Sequence, residues 1–174
     1  MTGKEFMNAV AKGQVDILQL FLDILGKTKV TYCVVGGLAV NAYVEPVVSL
    51  DLDVVVNTLD IDKVCKKASA KGIKVEKFKP SVNLTSYKSD LRIQIQTDSR
   101  YQEFISRSSL KEILGYRMSV ACIEDVLQGK VWAYLDEQRR RSKRQKDLTD
   151  IMRLIEAYPS LESHIPAIVL KKLR

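Results

Sequence analysis

The stretch from Tyr32 to Val56, YCVVGGLAVNAYVEPVVSLDLDVVV, constrains the fold and the chemistry of this chain more than any other. An apolar run ends in Gly36-Gly37, a short segment follows, and a second apolar run carries Ser49, Asp51 and Asp53. At i and i+2 on a strand, the two carboxylates point to one face. Their neighbours Val47, Val48, Leu50, Leu52, Val54, Val55 and Val56 are apolar, so the strand reads as interior and not as a wet edge. Two like charges buried side by side are costly unless a positive partner sits between them. A divalent cation such as Mg²⁺ or Mn²⁺, shared with the phosphates of a nucleotide, meets that need. Glycines ahead of the pair let the backbone approach a phosphate closely. Alone, a glycine pair asks for no more than a tight turn. The spacings of a P-loop and of a dinucleotide-binding fold are both absent.

At 174 residues and 46% apolar, the chain fits one domain with a real core. No apolar run approaches the roughly 20 residues that span a bilayer, so no membrane partner is expected. The N-terminus does not read as a secretory signal. Cys33, Cys65 and Cys122 are odd in number and widely spaced, which fits a reduced, cytoplasmic location without a disulfide framework. The single histidine, His164, excludes mechanisms that need a His pair and reads as a solvated residue. Of the net charge of +7, six positive charges sit in one run: Arg139, Arg140, Arg141, Lys143, Arg144 and Lys146. Basicity this local reads either as a solvated helix face or as a patch facing phosphate or RNA.

Periodicity sets out the elements. Residues 1–14 read as a weakly ordered start. Val15–Leu25 reads as a helix stopped by Gly26, Tyr32–Val35 as a buried strand, Leu38–Tyr43 as a short helix and Ser49–Val56 as a strand. Asp60–Ala70 reads as a helix and Lys74–Phe78 as a strand. Val82–Tyr87 and Leu91–Thr97 form a hairpin. Tyr101–Ser106 reads as a short helix and Tyr116–Val120 as a short strand. Ile123–Gln138, Lys143–Ala157 and Ile165–Leu173 close the chain as helices. The order implies an α/β (α+β) fold: a mixed sheet flanked by helices over residues 1–120, with a C-terminal helical part, 121–174, packed on it as one structural unit. Ile123, Leu127, Trp132 and Tyr134 lie at helical spacing and read as core, not as a base-stacking platform.

A strand ending in Gly-Gly, a short helix, then [ST]-x-D-h-D-h on a second strand resembles the signature of the DNA polymerase β-like nucleotidyltransferase superfamily. The resemblance covers roughly residues 30–100. It implies that Gly36 and Gly37 hold a triphosphate, that Ser49 touches it, and that Asp51 and Asp53 ligate metal. An acceptor hydroxyl would attack the α-phosphate of a nucleoside triphosphate and release pyrophosphate. The family carries a third carboxylate on a neighbouring strand. Here alternation along Leu91–Thr97 puts Arg92, Gln94 and Gln96 on one face, so Gln94 or Gln96 stands at the third-acid position. Asp90 and Asp98 are the nearest acids at the ends of that strand. Related sequences also carry a basic residue where this chain has Val47; Lys130, Arg92 or the basic run would compensate.

The C-terminal third adds a second pattern. Lys130-Val-Trp-Ala133, then Arg139 and Arg140, then Lys146-Asp147-Leu-Thr-Asp150 follows the order K-x-x-A…R…[RK]-D-x-x-D. This resembles the AbiEii-like nucleotidyltransferase toxins of type IV toxin–antitoxin systems. The resemblance implies that Lys130 faces the nucleotide phosphates and that Asp147 lies near the reacting centre. A cognate antitoxin would be a partner, and the basic run makes tRNA or other RNA a fitting acceptor, beside protein or small-molecule hydroxyls. Two further readings stand beside the transferase: a nucleotide- or RNA-binding protein without turnover, motivated by the glutamine at the third-acid position, and a partner-binding domain that keeps only the fold.

Overall fold

The computed structural model describes residues 1–174. Helix α1 (Gly3–Val10) opens the chain. The weakly ordered start expected for residues 1–14 is corrected by a capping box: Thr2 Oγ1 accepts from the Glu5 amide and the Glu5 carboxylate accepts from the Thr2 amide. Met7 anchors the helix in the core. Helix α2 (Ile17–Thr28) starts at the Asp16 cap and buries Leu18, Phe21, Leu22 and Leu25. It runs through Gly26, the expected stop, and ends at Lys29 in the left-handed region (φ 53°). Burial of the helix's apolar face outweighs the roughly 1 kcal/mol that a glycine costs in a helix.

Strand β1 (Tyr32–Val35) leads into the short helix α3 (Gly36–Val40), and β2 (Asp51–Val56) follows. Ser49 lies in the loop before β2. Then come α4 (Ile61–Ala70), β3 (Lys74–Lys77), β4 (Ser81–Ser86) and β5 (Ser89–Gln96). A 3-10 segment (Ser99–Arg107) precedes the hairpin of β6 (Ser109–Ile113) and β7 (Tyr116–Val120). Helices α5 (Ile123–Leu135), α6 (Arg141–Ala157) and α7 (Ala167–Leu173) complete the chain. Strand β6 was not expected. It is a sheet-edge strand burying only Ile113, so it lacks the alternation that marks a half-buried strand. Its turn is Leu114-Gly115, both with positive φ, the geometry of a tight hairpin.

The seven strands form one mixed sheet in the order β3-β4-β5-β2-β1-β7-β6. Strand β2 is central, antiparallel to β1 and parallel to β5. In β2 and β5 one set of side chains (Leu52, Val54, Leu91, Ile93, Ile95) is buried, while Asp51, Asp53, Arg92, Gln94 and Gln96 are half-buried on the alternate side. The parallel register sets Asp51 opposite Arg92 and Asp53 opposite Gln94. Helices α5 and α6 pack together, and both touch α3, which lies against β1 and β2. This arrangement brings the C-terminal helices to the acidic end of β2.

Candidate active site

Asp53 sits at the centre. Gly36 turns the chain there with φ +71°, and a Cβ at that position would collide with the Asp53 carboxylate. Only glycine suits both demands. Asp53 makes no hydrogen bond or ion pair with the protein. Burial pushes its carboxyl above the ordinary range; Lys130 and Arg139 pull it down, while Asp51 and Asp147 push it up. Gly37 is less constrained, since a Cβ there would meet Ser49 Oγ at an ordinary 3.6 Å. Ser49 Oγ donates to the Asp51 carbonyl at 3.1 Å, so it braces the entry to β2.

Asp51, two residues away, is fully engaged. Its Oδ1 accepts from Arg92 Nε at 3.0 Å and its Oδ2 from Lys143 Nζ at 3.2 Å. Burial raises this carboxyl, but Arg92 and Lys143 outweigh it and hold it below the usual carboxylate value. Lys143 arrives from α6, across 92 positions of sequence. Arg92, Lys143, Arg139 and Arg140 line an open cleft of about 420 Å³ on this side, with Asp51, Asp53 and Gln94 and no apolar residue.

Lys130 is placed differently from the expectation that it faces phosphate. Its side chain is 7% exposed, 3.0 Å from Asp147 Oδ1 and 2.8 Å from Asp150 Oδ2. Burial lowers the Lys130 ammonium, and the two carboxylates outweigh it and raise it. Arg139 Nε donates to Asp147 Oδ2 at 2.7 Å, and Arg153 joins Asp150 to the Glu45 carbonyl. Lys130 and Asp147 thus reach the wall of the site as parts of a sealed ion network that ties α5 to α6.

A second cleft of about 400 Å³ opens from Asp53 toward the 3-10 segment and α5. Gln94 and Gln96 lie on its sheet wall, and Tyr101, Trp132 and Arg100 on the opposite wall. Gln94 Nε2 donates to Ser81 Oγ at 3.2 Å, so the third-acid position holds a neutral amide fixed by β4. Asp98, at the rim, is tied to Arg100 by a bidentate ion pair. Asp90 pairs with Lys12 outside both clefts. Trp132 is not wholly core. Arg100 lies 4.5 Å from its ring centroid, Phe104 stacks on it at 5.6 Å and Tyr101 meets it edge-on at 5.2 Å. Burial, with Asp53 next, pushes the Tyr101 hydroxyl up to about 12. Sequence reasoning missed Tyr101, Arg100 and Trp132; only the register of α5, with Gly129, Lys130 and Ala133 on the cleft side, could have signalled them.

The basic run does not form one patch. Arg139 and Lys143 turn into the site, and Arg144 Nε donates to the Tyr134 carbonyl at 2.7 Å. Arg140, Arg141 and Lys146 remain exposed. No group of three or more His, Cys, Asp or Glu side chains is placed to hold a metal. Asp51 and Asp53, with the Gln94 amide beside them, fit a divalent cation that arrives with phosphate oxygens of its own, not a cage built by protein alone. No helix is long and apolar enough to cross a membrane.

No family model and no curated protein matches the chain. Solved structures do. The chain superimposes on ANT(2″)-Ia in complex with adenylyl-2″-tobramycin with a TM-score of 0.65, over 92% of this chain and 99% of that one, at 14% identity. The lincomycin-bound lincosamide antibiotic adenylyltransferase LnuA gives 0.57 over 82% and 98%, at 15% identity. An antigenic nucleotidyltransferase-like protein from Paracoccidioides brasiliensis gives 0.57 over 95% and 88%, at 15% identity. At such identities the likeness is one of fold: along most of its length the chain has the mixed-sheet fold of these nucleotidyltransferases.

Proposed function

We propose that the chain is a nucleotidyltransferase, moving a nucleoside monophosphate from a nucleoside triphosphate to an acceptor hydroxyl. The observation that carries this reading is the pair Asp51 and Asp53 on one strand, with Asp53 unpaired, pressed against Gly36 and open to a cleft large enough for a nucleotide. In the reaction the acceptor oxygen bonds to the α-phosphorus, the bond to the β-phosphate oxygen breaks, and pyrophosphate leaves. Asp51 and Asp53 would hold Mg²⁺ or Mn²⁺, which neutralises charge developing on the phosphates. Gly36 and Gly37, at the start of α3, would offer their backbone to the triphosphate, with Ser49 beside Gly37. Lys130 and Arg139 favour the ionised form of Asp53 and offset part of the rise that burial causes. Tyr101, Trp132 and Arg100 offer a wall for the flat part of a nucleotide or acceptor.

The order of Lys130, Arg139, Asp147 and Asp150 supports the AbiEii-like branch, with a toxin-type activity and a cognate antitoxin as partner. Exposed Arg140, Arg141 and Lys146 support an RNA acceptor, tRNA included, over the antibiotic acceptors that the solved neighbours bind. A second reading, nucleotide binding without turnover, is favoured by Gln94. It stands opposite Asp53 and can take no proton from the acceptor, while Asp98 and Asp147 are held by cations. Incubating the protein with each ribonucleoside triphosphate, magnesium and total RNA, and assaying pyrophosphate, separates the two. Release that disappears in Asp53→Asn supports transfer. Nucleotide binding without release against any acceptor supports the second reading.

A further inference from the structure

Asp51 has both carboxylate oxygens capped by cations of the same chain, and those two cations differ from Lys130 and Arg139, the other cations bound to acids around Asp53. Lys130 is enclosed between two buried acids. Arg139 is tied to Asp147, an acid that is 2% exposed. Arg92 and Lys143 instead remain 42% and 31% exposed, have Asp51 as their acidic partner, and line an open, wholly polar cleft. Their side chains are long and flexible, so releasing Asp51 requires no movement of the backbone.

We propose that Arg92 and Lys143 are exchangeable counter-ions: they neutralise Asp51 before donor binding, then hand it over to the divalent cation and move onto the polyphosphate that arrives with it. This rests on the nucleotidyltransferase reading, and it assigns the phosphate grip to Arg92 and Lys143 rather than to Lys130. Charge balance motivates the exchange. A cation arriving alone must displace two positive groups from Asp51 and leave them crowded against it. A polyphosphate arriving alone finds those groups already engaged. Arriving together, the carboxylate gains a cation while Lys143 and Arg92 gain phosphate oxygens, and no charge is left unpaired. The site therefore favours the metal–polyphosphate complex over either component.

Two binding measurements, neither of which depends on turnover, test the exchange. Mn²⁺ alone is titrated and followed by the loss of its free-ion resonance. Inorganic tripolyphosphate is titrated by calorimetry in excess magnesium. Wild type is compared with Lys143→Met, Arg92→Met and Asp53→Asn, each first shown to be folded by its thermal melt. The exchange predicts opposite signs: removing either counter-ion tightens Mn²⁺ binding about threefold or more and weakens tripolyphosphate binding by a similar factor, the scale of a partly exposed ion pair. It is overturned if both affinities move in one direction, or if neither moves, while Asp53→Asn still removes Mn²⁺ binding. If wild type binds tripolyphosphate with magnesium no better than without it, or Asp53→Asn leaves that binding unchanged, the nucleotidyltransferase reading fails and takes the exchange with it.

Discussion

Two charge clusters flank Asp53, built on one plan with the signs reversed. In one, a cation, Lys130, lies between Asp147 and Asp150; in the other, an anion, Asp51, lies between Arg92 and Lys143. The first is sealed, with side chains no more than 7% exposed, and the second is open to a cleft. Burial decides what each can do. A desolvated pair cannot exchange partners without exposing a bare charge to a medium of low polarity, so the Lys130 cluster acts as a clasp between α5 and α6. The solvated cluster exchanges at little cost, because water screens each group as it moves. Asp53 lies between them and belongs to neither, which leaves its carboxylate free for a ligand.

Substitutions that break the sealed cluster should have the largest effect. Lys130→Met removes the buried cation shared by Asp147 and Asp150, leaving each acid one arginine at its edge, and is expected to cost about 3 kcal/mol, read as a fall in the denaturant midpoint. Next comes Gly36→Ala, which meets both a positive φ and the Asp53 carboxylate. A loss of about 2 kcal/mol is expected there, against less than about 1 kcal/mol for Gly37→Ala, whose new methyl meets only ordinary contacts. Equal losses at the two glycines would contradict the close packing of Gly36 on Asp53.

Asp53→Asn should stabilise the protein by about 1 kcal/mol where Asp53 is ionised, since it removes a half-buried charge that has no partner. The sign with pH follows from its raised carboxyl. Wild-type stability falls as pH rises through the Asp53 value, so the advantage of Asp53→Asn grows with pH and fades below the ordinary carboxylate range. Asp51 has the opposite slope. Its lowered carboxyl contributes stability above the ordinary range and loses it as pH falls through the folded-state value. Thermal melts of Asp51→Asn and Asp53→Asn across acid pH should therefore diverge from wild type in opposite directions. The smallest effect on stability is expected for Lys143→Met, below about 1 kcal/mol. A loss as large as that of Lys130→Met would mean that the open cluster is as structural as the sealed one.

The central site was legible because strand chemistry is local. Period-two alternation put Asp51 with Asp53 on one strand, and Arg92, Gln94 and Gln96 together on another; which of them meets which acid came only from the register, which sets Arg92 opposite Asp51 and Gln94 opposite Asp53. The hairpin of β4 and β5 was legible for the same reason. Edge strand β6 was not, because a strand burying one residue leaves no pattern. Helix α1 carried its signal in Thr2 and Glu5, but eight residues with a single buried side chain look like a tail. The basic run misled most. Read as linear charge it is a patch, yet Lys143, Asp147 and Asp150 lie at helical spacing on the inward side of α6, while Arg141 and Lys146 face out. The pairing of Lys143 with Asp51 depends on how α6 meets β2, which no short-range pattern encodes.

The most direct test of the account is calorimetric titration of the four ribonucleoside triphosphates, with and without magnesium, into wild type and into an Asp51→Asn/Asp53→Asn double variant. The account predicts that at least one nucleotide binds wild type, that binding needs magnesium, and that the double variant loses it while keeping its fold. Binding that persists without magnesium, or in the double variant, would contradict the assignment of this strand as the metal–nucleotide site.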